Sequence, residues 1–258
     1  MARRTATGND VLRKVGGWPK SSLLGTLEER TRDELLRLGS LQQYATGEIL
    51  LMEGERSTHV FLLIEACVKV TSTTEDGKLA LLAIRMGGDL VGELAGLDGE
   101  PRVATVTAAG PCVVRRMSQE VFVDFLTRHP AASLAVNRSV AGKLRHATRR
   151  RAEFGSRATS TRLARVLLEL ARNYGEAGEE GVVIGVSLTQ PELAALVGAA
   201  DPTIHKALTQ LRRGGVVETG YRRIVIRDMA TLRLQAGMSP NSWDYEVPGA
   251  PGTDTGRI

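Results

Sequence analysis

One acidic and one basic residue stand at the two ends of a short loop that is rich in small residues. In VGELAGLDGEPRVATVTA, Glu93 follows a glycine and Arg102 follows a proline, at the point where a strand resumes. A turn that opens a helix offers free backbone N–H groups and a positive dipole end to an anion. An arginine adds a charge-assisted hydrogen bond. The pattern predicts a binding device, and the alternative is a plain Glu93–Arg102 salt bridge across an empty loop.

The segments around this loop predict a β-rich unit that positions it. Residues 44–117 form short β-branched and apolar runs separated by glycines, with Asp76-Gly77 as a hairpin signal. Many short strands at even spacing are typical of an antiparallel barrel or roll. Ahead of them, residues 21–39 predict one or two short amphipathic helices that end near Gly39.

A long helical pattern follows the β-rich unit. Residues 119–173 are almost free of proline, and Pro130 is the single predicted break. Residues recur within it at alternating steps of four and three, the 3.5 period of a coiled-coil seam: Val140, Leu144, Ala147, Arg151, Phe154 and Ala158. We interpret this pattern as a dimer seam with Gly155 as a hinge; an ordinary amphipathic helix is the alternative.

The second half of the chain predicts a helix-turn-helix with a wing. After a polar segment at 175–181, expected to be a flexible link, Thr189 and Glu192 have the spacing of a capping box. Gly198 is predicted to turn the chain, and Asp201 to cap the next helix. Ala194, Gly198 and Ile204 have the small, turn and buried positions that this motif needs. Residues 214–228 read as a β-hairpin with a basic tip.

Composition bounds the functional classes. The net charge is +5, and counting the ionisable side chains assigns −1 to residues 1–134 and +6 to residues 135–258. Such an asymmetry indicates approach to a polyanion with one end. No run nears the roughly 20 apolar residues of a membrane span, and no secretory signal is recognised, so a cytoplasmic location is expected. Cys67 and Cys112 read as buried reduced thiols, and four scattered histidines support no metal site.

This order of elements resembles the CRP/FNR (cyclic AMP receptor protein) family of bacterial transcription regulators. The resemblance covers residues 21–235 and is strongest in GELAGLDGEPRVATV and in residues 189–227. It implies an α+β fold: an antiparallel, cupin-like, cyclic-nucleotide-binding β-roll, a long dimerisation helix and a C-terminal winged helix-turn-helix domain. The expected parts are a disordered N-terminus (1–20), the roll (21–134), the dimerisation helix and hinge (135–158), the DNA-binding domain (159–235) and a disordered tail (236–258).

By this resemblance, residues 92–106 (the cassette) would bind a cyclic phosphate. Glu93 would accept from the ribose 2′-OH, Arg102 would neutralise the phosphate, and the N–H groups of Ala95 and Val103 would hold its oxygens. Bacterial cyclic AMP sensors usually carry Ser or Thr where this chain has Val103. The implied ligand residues are Gly92, Glu93, Leu94, Ala95, Arg102, Val103 and Thr148. The effector would be cAMP or cGMP, no cofactor is obligatory, and the absence of a cysteine before Cys67 excludes an iron–sulfur sensor.

The resemblance also implies a DNA-binding surface. Pro202 replaces a glutamate that can accept from cytosine, so the standard family half-site is not expected. Thr203 and His205 would reach base edges, and Lys206 phosphate or guanine. The implied DNA-binding residues are Thr189, Gln190, Ala200, Asp201, Thr203, His205, Lys206, Arg212, Gly220, Tyr221 and Arg222.

We therefore predict a homodimeric, ligand-modulated DNA-binding regulator, not an enzyme. Its partners would be double-stranded DNA, a second copy of itself, RNA polymerase and a small effector, with no membrane. One alternative keeps the DNA binding but has a vestigial pocket or a different effector. Another is a cyclic-nucleotide module that acts on protein partners, which the basic wing residues Arg222, Arg223 and Arg227 disfavour.

Overall fold

A computed structural model describes residues 18–19, 22–74, 77, 79–186, 188–220 and 223–238. The chain divides into two compact units, residues 1–148 and 149–258, and each is treated by itself. The segments expected to be disordered, 1–20 and 236–258, lie mostly outside the described residues, as do Asp76, Tyr221 and Arg222.

The first unit is a β-roll flanked by helices. The two short amphipathic helices expected near its start are present. The described elements are α1 (Leu23–Thr26), α2 (Glu29–Arg37), β1 (Ser40–Tyr44), β2 (Ile49–Leu51), β3 (Val60–Glu65), β4 (Cys67–Thr73), β5 (Leu79–Met86), β6 (Leu90–Val91), α3 (Glu93–Asp98), β7 (Thr105–Ala108), β8 (Cys112–Met117) and α4 (Gln119–Arg128).

The predicted antiparallel roll is confirmed by the strand pairing. One four-stranded sheet has the order β1-β8-β3-β6 and the other the order β2-β7-β4-β5, and the recorded pairs of the roll are antiparallel. Strand β3, VFLLIE, is buried on both faces and supplies two clusters of the core. Val60, Leu62 and Ile64 pack with the helices, whereas Phe61 and Leu63 pack between the sheets. The period-2 alternation of β3 therefore divides its side chains between two apolar layers.

A long helix, α5 (Pro130–Ser156), leaves the roll. Ala132 and Val136 bury its first turns in the roll's core. The boundary between the two compact units falls within this helix, after Thr148. On the seam proposed from the sequence, Val140 is half-buried and Leu144 is 67% exposed.

The second unit carries the predicted helix-turn-helix and wing. A sheet of order β11-β12-β10-β9 packs with helices whose core side chains include Leu163, Leu167, Ile204 and Leu211. Its described elements are α6 (Thr159–Tyr174), β9 (Gly175–Gly178), β10 (Gly181–Ile184), α7 (Gln190–Val197), α8 (Asp201–Arg213), β11 (Val217–Gly220), β12 (Arg223–Ile226) and α9 (Met229–Gln235).

Three local expectations are corrected. The polar segment 175–181 is not a flexible link, because β9 and β10 pair as a hairpin. The helix continues through Gly155 and the next begins at Thr159, so a second break falls at residues 157–158, which the absence of proline had concealed. Asp201 is the first residue of α8 rather than its cap; the N-cap is Ala200, without a side-chain hydrogen bond.

Candidate functional site

The cassette begins at a glycine that no other residue could replace without strain. Gly92 has φ 80°, in the left-handed region, and is the N-cap of α3. A Cβ atom on Gly92 would lie 2.7 Å from Nη1 of Arg102 and 2.8 Å from Cδ1 of Leu51. Conformation and close approach both require glycine here. The next helical turn then places the carboxylate of Glu93 inside the roll, where the residue is 5% exposed.

Arg102 is buried, and its guanidinium already has protein acceptors. Only 4% of the residue is exposed. Nη1 donates to the carbonyl oxygen of Gly92 at 2.8 Å, Nη2 to that of His59 at 2.5 Å, and Nε to the hydroxyl of Ser57 at 3.2 Å. These bonds use three of the five N–H donors of an arginine. Arg102 thus ties the cassette to the 57–59 loop, and its other two donors have no hydrogen-bond acceptor among the residues that the structure describes.

Glu93 has an ion-pair partner on the long helix. Nζ of Lys143 lies 2.8 Å from Oε1 of Glu93 and donates to the carbonyl oxygen of Leu90 at 3.0 Å. The side chain of Glu93 is 7% exposed and that of Lys143 24%. The salt bridge considered from the sequence, between Glu93 and Arg102, is therefore not the one formed. Glu93 is instead tied to α5.

Further charges lie near this pair. Burial raises the pKa of Asp89, and the nearby cations Lys143 and Arg85 oppose that shift. Burial lowers the pKa of the Arg102 guanidinium, while the carboxylates of Glu55 and Glu93 oppose that effect. A chain of alternating charges thus runs from Arg102 through Glu93 and Lys143 to Asp89.

The remaining predicted ligand residues are placed mostly at the surface. Val103 is 64% exposed and Leu94 38% exposed, while Ala95 is buried. Thr148 is exposed on α5, and at 100° per residue it lies about 140° around the helix from Lys143. The structure therefore brings Gly92, Glu93 and Arg102 together but leaves Thr148 apart, and its contact with a ligand stays a prediction.

The helix-turn-helix frame forms as its sequence predicted. The hydroxyl of Thr189 accepts from the Glu192 N–H at 3.3 Å, and the Glu192 carboxylate accepts from the Thr189 N–H at 2.8 Å, a complete capping box. Gly198 ends α7 with φ 68°. Nη2 of Arg162, a residue of α6, donates to the carbonyl oxygen of Gly198 at 3.0 Å and so holds the turn against α6.

The first turns of α8 present a polar face. Asp201, Thr203, His205 and Lys206 are exposed, whereas Ile204 between them is fully buried. Nδ1 of His205 lies 3.3 Å from Oε1 of Gln190, the first residue of α7. The structure therefore brings two of the predicted DNA-binding residues into contact across the two helices of the motif.

The wing contributes less free charge than its sequence indicated. Arg227 forms ion pairs with Glu180, at 2.8 Å, and with Glu218. Its positive charge is therefore largely neutralised within the protein. Arg212 donates to the hydroxyls of Thr209 at 3.0 Å and Thr219 at 3.3 Å, which links α8 to β11.

The tip of the wing is described only in part. Gly220 is exposed and ends β11, opposite Arg223 in the hairpin register. The predicted contacts Tyr221 and Arg222 lie outside the described residues.

Sequence reasoning missed Lys143, Ser57 and His59. Lys143 precedes the seam residue Leu144, but nothing in the sequence pairs it with Glu93, fifty residues earlier. Ser57 and His59 act on Arg102 from a loop whose fold brings them near. Within the described ranges, no cluster of three metal-ligating side chains occurs, and no helix is long and apolar enough to cross a membrane.

Known domain families match both units. The family described as "Cyclic nucleotide-binding domain" matches residues 41–129, and the one described as "Crp-like helix-turn-helix domain" matches residues 161–234. The matched ranges contain the cassette and the helix-turn-helix respectively.

Individual proteins show the same likeness. The CRP-like cAMP-activated global transcriptional regulator of Mycobacterium tuberculosis is 29% identical over 195 residues, which cover 75% of this chain and 86% of that relative. A solved structure of a CRP-family transcriptional regulator from Thermus thermophilus has a TM-score of 0.65 and 27% identity, and the match covers 77% of this chain and 97% of that one.

A second solved structure shares the fold at lower identity. It is the c-di-GMP responsive global regulator CLP of Xanthomonas campestris, with a TM-score of 0.66, 18% identity and coverage of 77% of this chain and 99% of that one. The two domain matches in this order, these relatives and the shared fold identify the chain as a member of the CRP/FNR family of transcription regulators, which bind DNA and are not enzymes.

Proposed function

We propose that this protein is a homodimeric regulator whose operator binding is modulated by a cyclic nucleotide in the β-roll. The observation that carries the proposal is the Glu93–Lys143 ion pair at 2.8 Å. It connects the cassette directly to α5, the helix that continues into the DNA-binding unit. A ligand that engages Glu93 would therefore act on the helix on which dimerisation depends.

The ligand chemistry follows from the buried groups. The carboxylate of Glu93 accepts hydrogen bonds only, which suits a ribose hydroxyl. Arg102 retains two N–H donors for a phosphodiester oxygen, and a charge-assisted bond of this kind is about twice as strong as a neutral one. A ribose hydroxyl that competes with Lys143 for Glu93 would shift the population of α5 conformations.

A specific observation supports a second candidate, a regulator with another effector. Val103 provides no hydroxyl, and three of the five N–H donors of Arg102 are already bonded to the protein. The names of the similar proteins include both a cAMP-activated regulator and a c-di-GMP responsive one.

Calorimetric titration of the purified protein with cAMP, cGMP and c-di-GMP tests the effector. We expect Arg102→Ala to abolish binding of a cyclic mononucleotide. Arg102 also ties two loops together, so its replacement can abolish binding by disturbing the fold. Val103→Ser changes an exposed position and therefore tests the site in a folded protein. One added neutral hydrogen bond should tighten cyclic mononucleotide binding about fivefold. No heat from any of the three at millimolar concentration would contradict the sensor proposal.

DNA binding at specific sites is tested by genomic footprinting with and without Lys206→Ala. Lys206 is exposed on α8, so its removal should weaken binding without unfolding the domain. A protein that enriches palindromic sites supports the homodimeric regulator, since two-fold sites mirror a two-fold protein. Failure to enrich any site would favour the alternative in which the roll acts on protein partners.

A further inference from the structure

The contact between Gln190 and His205 joins the two helices of the DNA-binding motif through their exposed side chains. Nδ1 of His205 lies 3.3 Å from Oε1 of Gln190, fifteen residues earlier. Both residues are exposed, so the contact contributes little to the core. The contact lies on the surface that we propose faces DNA, and its hydrogen-bond chemistry indicates a role in DNA recognition.

Gln190 is rigidly placed for such a role. It is the first residue of α7, directly after the N-cap Thr189, and Pro191 follows it. The capping box and the proline fix the backbone on both sides of Gln190. On the partner helix, His205 follows Ile204, which is fully buried and anchors the first turns of α8. The two side chains thus extend from fixed backbones.

The contact determines which nitrogen of His205 faces outward. A carboxamide oxygen can only accept, so Oε1 of Gln190 requires the proton of a neutral imidazole to be on Nδ1. Nε2, the ring nitrogen that does not contact Gln190, then carries a lone pair. In the major groove, the donors that complement such an acceptor are the exocyclic amines, N6 of adenine and N4 of cytosine.

We propose that Gln190 and His205 form one base-reading unit, in which Gln190 orients the ring and Nε2 of His205 accepts a hydrogen bond from an exocyclic amine of adenine or cytosine. His205 is the specificity-determining residue, and Gln190 is a positioning residue that acts through it. The inference rests on the DNA-binding function and adds a base preference at one position of each half-site. It also supplies direct readout in a helix whose Pro202 has no side-chain hydrogen-bonding group.

Selection from a random-sequence DNA pool tests the unit with the full-length protein. The variants are His205→Ala, Gln190→Ala and the double variant, with Gln210→Ala as a matched control at another exposed position of α8. We expect wild type to prefer one base pair at one position per half-site and His205→Ala to lose that preference. Gln190→Ala should relax it, and the double variant should match His205→Ala there, since Gln190 acts only through the ring. Gln210→Ala should leave it unchanged.

A base analogue provides the decisive second measurement. At the affected position, a base that lacks the exocyclic amine should weaken wild-type binding about fivefold to tenfold and leave binding by His205→Ala unchanged. Unaltered preferences in His205→Ala, or wild-type binding that is unaffected when the preferred base pair lacks its exocyclic amine, would overturn this inference alone. Recovery of no sequence by wild type would contradict the DNA-binding function and the inference with it.

Discussion

The ammonium group of Lys143 lies 2.8 Å from the carboxylate of Glu93 and 3.0 Å from the carbonyl oxygen of Leu90. One side chain of α5 therefore contacts both the cassette and the strand that leads into it. Because Glu93 is buried, this cation is the main compensation for its charge. The ion pair therefore links the cassette, whose own helix α3 has six residues, to the 27-residue helix α5.

Removing the Lys143 charge should destabilise the roll. Lys143→Met removes the ion-pair partner of the buried Glu93 carboxylate, and we expect the free energy of unfolding to fall by about 2–4 kcal/mol. Lys143→Arg should retain most of the wild-type stability. Urea denaturation followed by circular dichroism measures the change. Arg145→Met, two positions away on the exposed surface, should stay within about 0.5 kcal/mol of wild type. A Lys143→Met protein as stable as wild type would show that the pair contributes no net stability.

Acid should weaken the roll through His59. Burial, with the positive charges of Arg116 and Arg102, lowers the pKa of His59 from 6.5 to about 4. The unfolded chain then binds more protons between these two values, so stability is present above pH 6.5 and is lost as the pH falls toward 4. For this partly exposed ring, we expect a loss of about 1 kcal/mol at about pH 5 after allowing for solvent screening.

The His59 contribution is isolated by comparing wild type with His59→Gln in urea at about pH 7 and about pH 5, on either side of the ordinary histidine pKa. The variant should lose about 1 kcal/mol less than wild type on acidification. Asp89, whose pKa is raised, contributes in the opposite direction and is common to both proteins. Equal losses in the two proteins would contradict the assignment to His59.

The two thiols should react slowly in the folded protein. Burial, followed by the neighbouring Cys112, raises the pKa of Cys67 to about 11, and burial also raises the pKa of Cys112. At about pH 8 the Cys67 thiol is about 0.1% thiolate, so its labelling by a disulfide reagent should be about 100-fold slower than that of a thiol with the ordinary pKa. The same reagent in guanidinium provides the control, and Cys112→Ser leaves Cys67 to be followed alone. Rapid labelling of native Cys112→Ser would contradict this prediction.

A charge on the proposed seam should prevent self-association. Leu144 is 67% exposed in the single chain, and it is one of the apolar side chains that the proposed seam would bury against a second copy. We expect Leu144→Glu to weaken the dimer about 100-fold, from the loss of two buried leucines. Sedimentation velocity over a concentration series measures the effect. Arg145→Glu places a new acid about 100° around the helix from Leu144, and this control variant should remain dimeric. A wild-type protein that sediments as a monomer at every concentration would contradict the seam.

Much of the architecture was predictable because its signals are local. The glycine-punctuated strands, the capping box at Thr189 and Glu192, and the buried positions Ala194 and Ile204 all follow from period and turn chemistry over a few residues. The hairpin β9–β10 was missed because its sequence, GEAGEEG, carries the polar and glycine composition of a linker. Strand β10 also pairs with β12, which lies beside it in the sheet but about forty residues away in the chain.

The sequence by itself determined which residues could bind an anion and which could face DNA. Glu93, Arg102, Gln190 and His205 are recognisable from residue type and local motif. Only the tertiary structure decided their partners: Lys143 for Glu93, the carbonyl oxygens of Gly92 and His59 for Arg102, and Gln190 for His205. A hydrogen bond depends on a separation of about 3 Å, and most of these groups are tens of residues apart in the chain, so only the folded backbone brings them within reach.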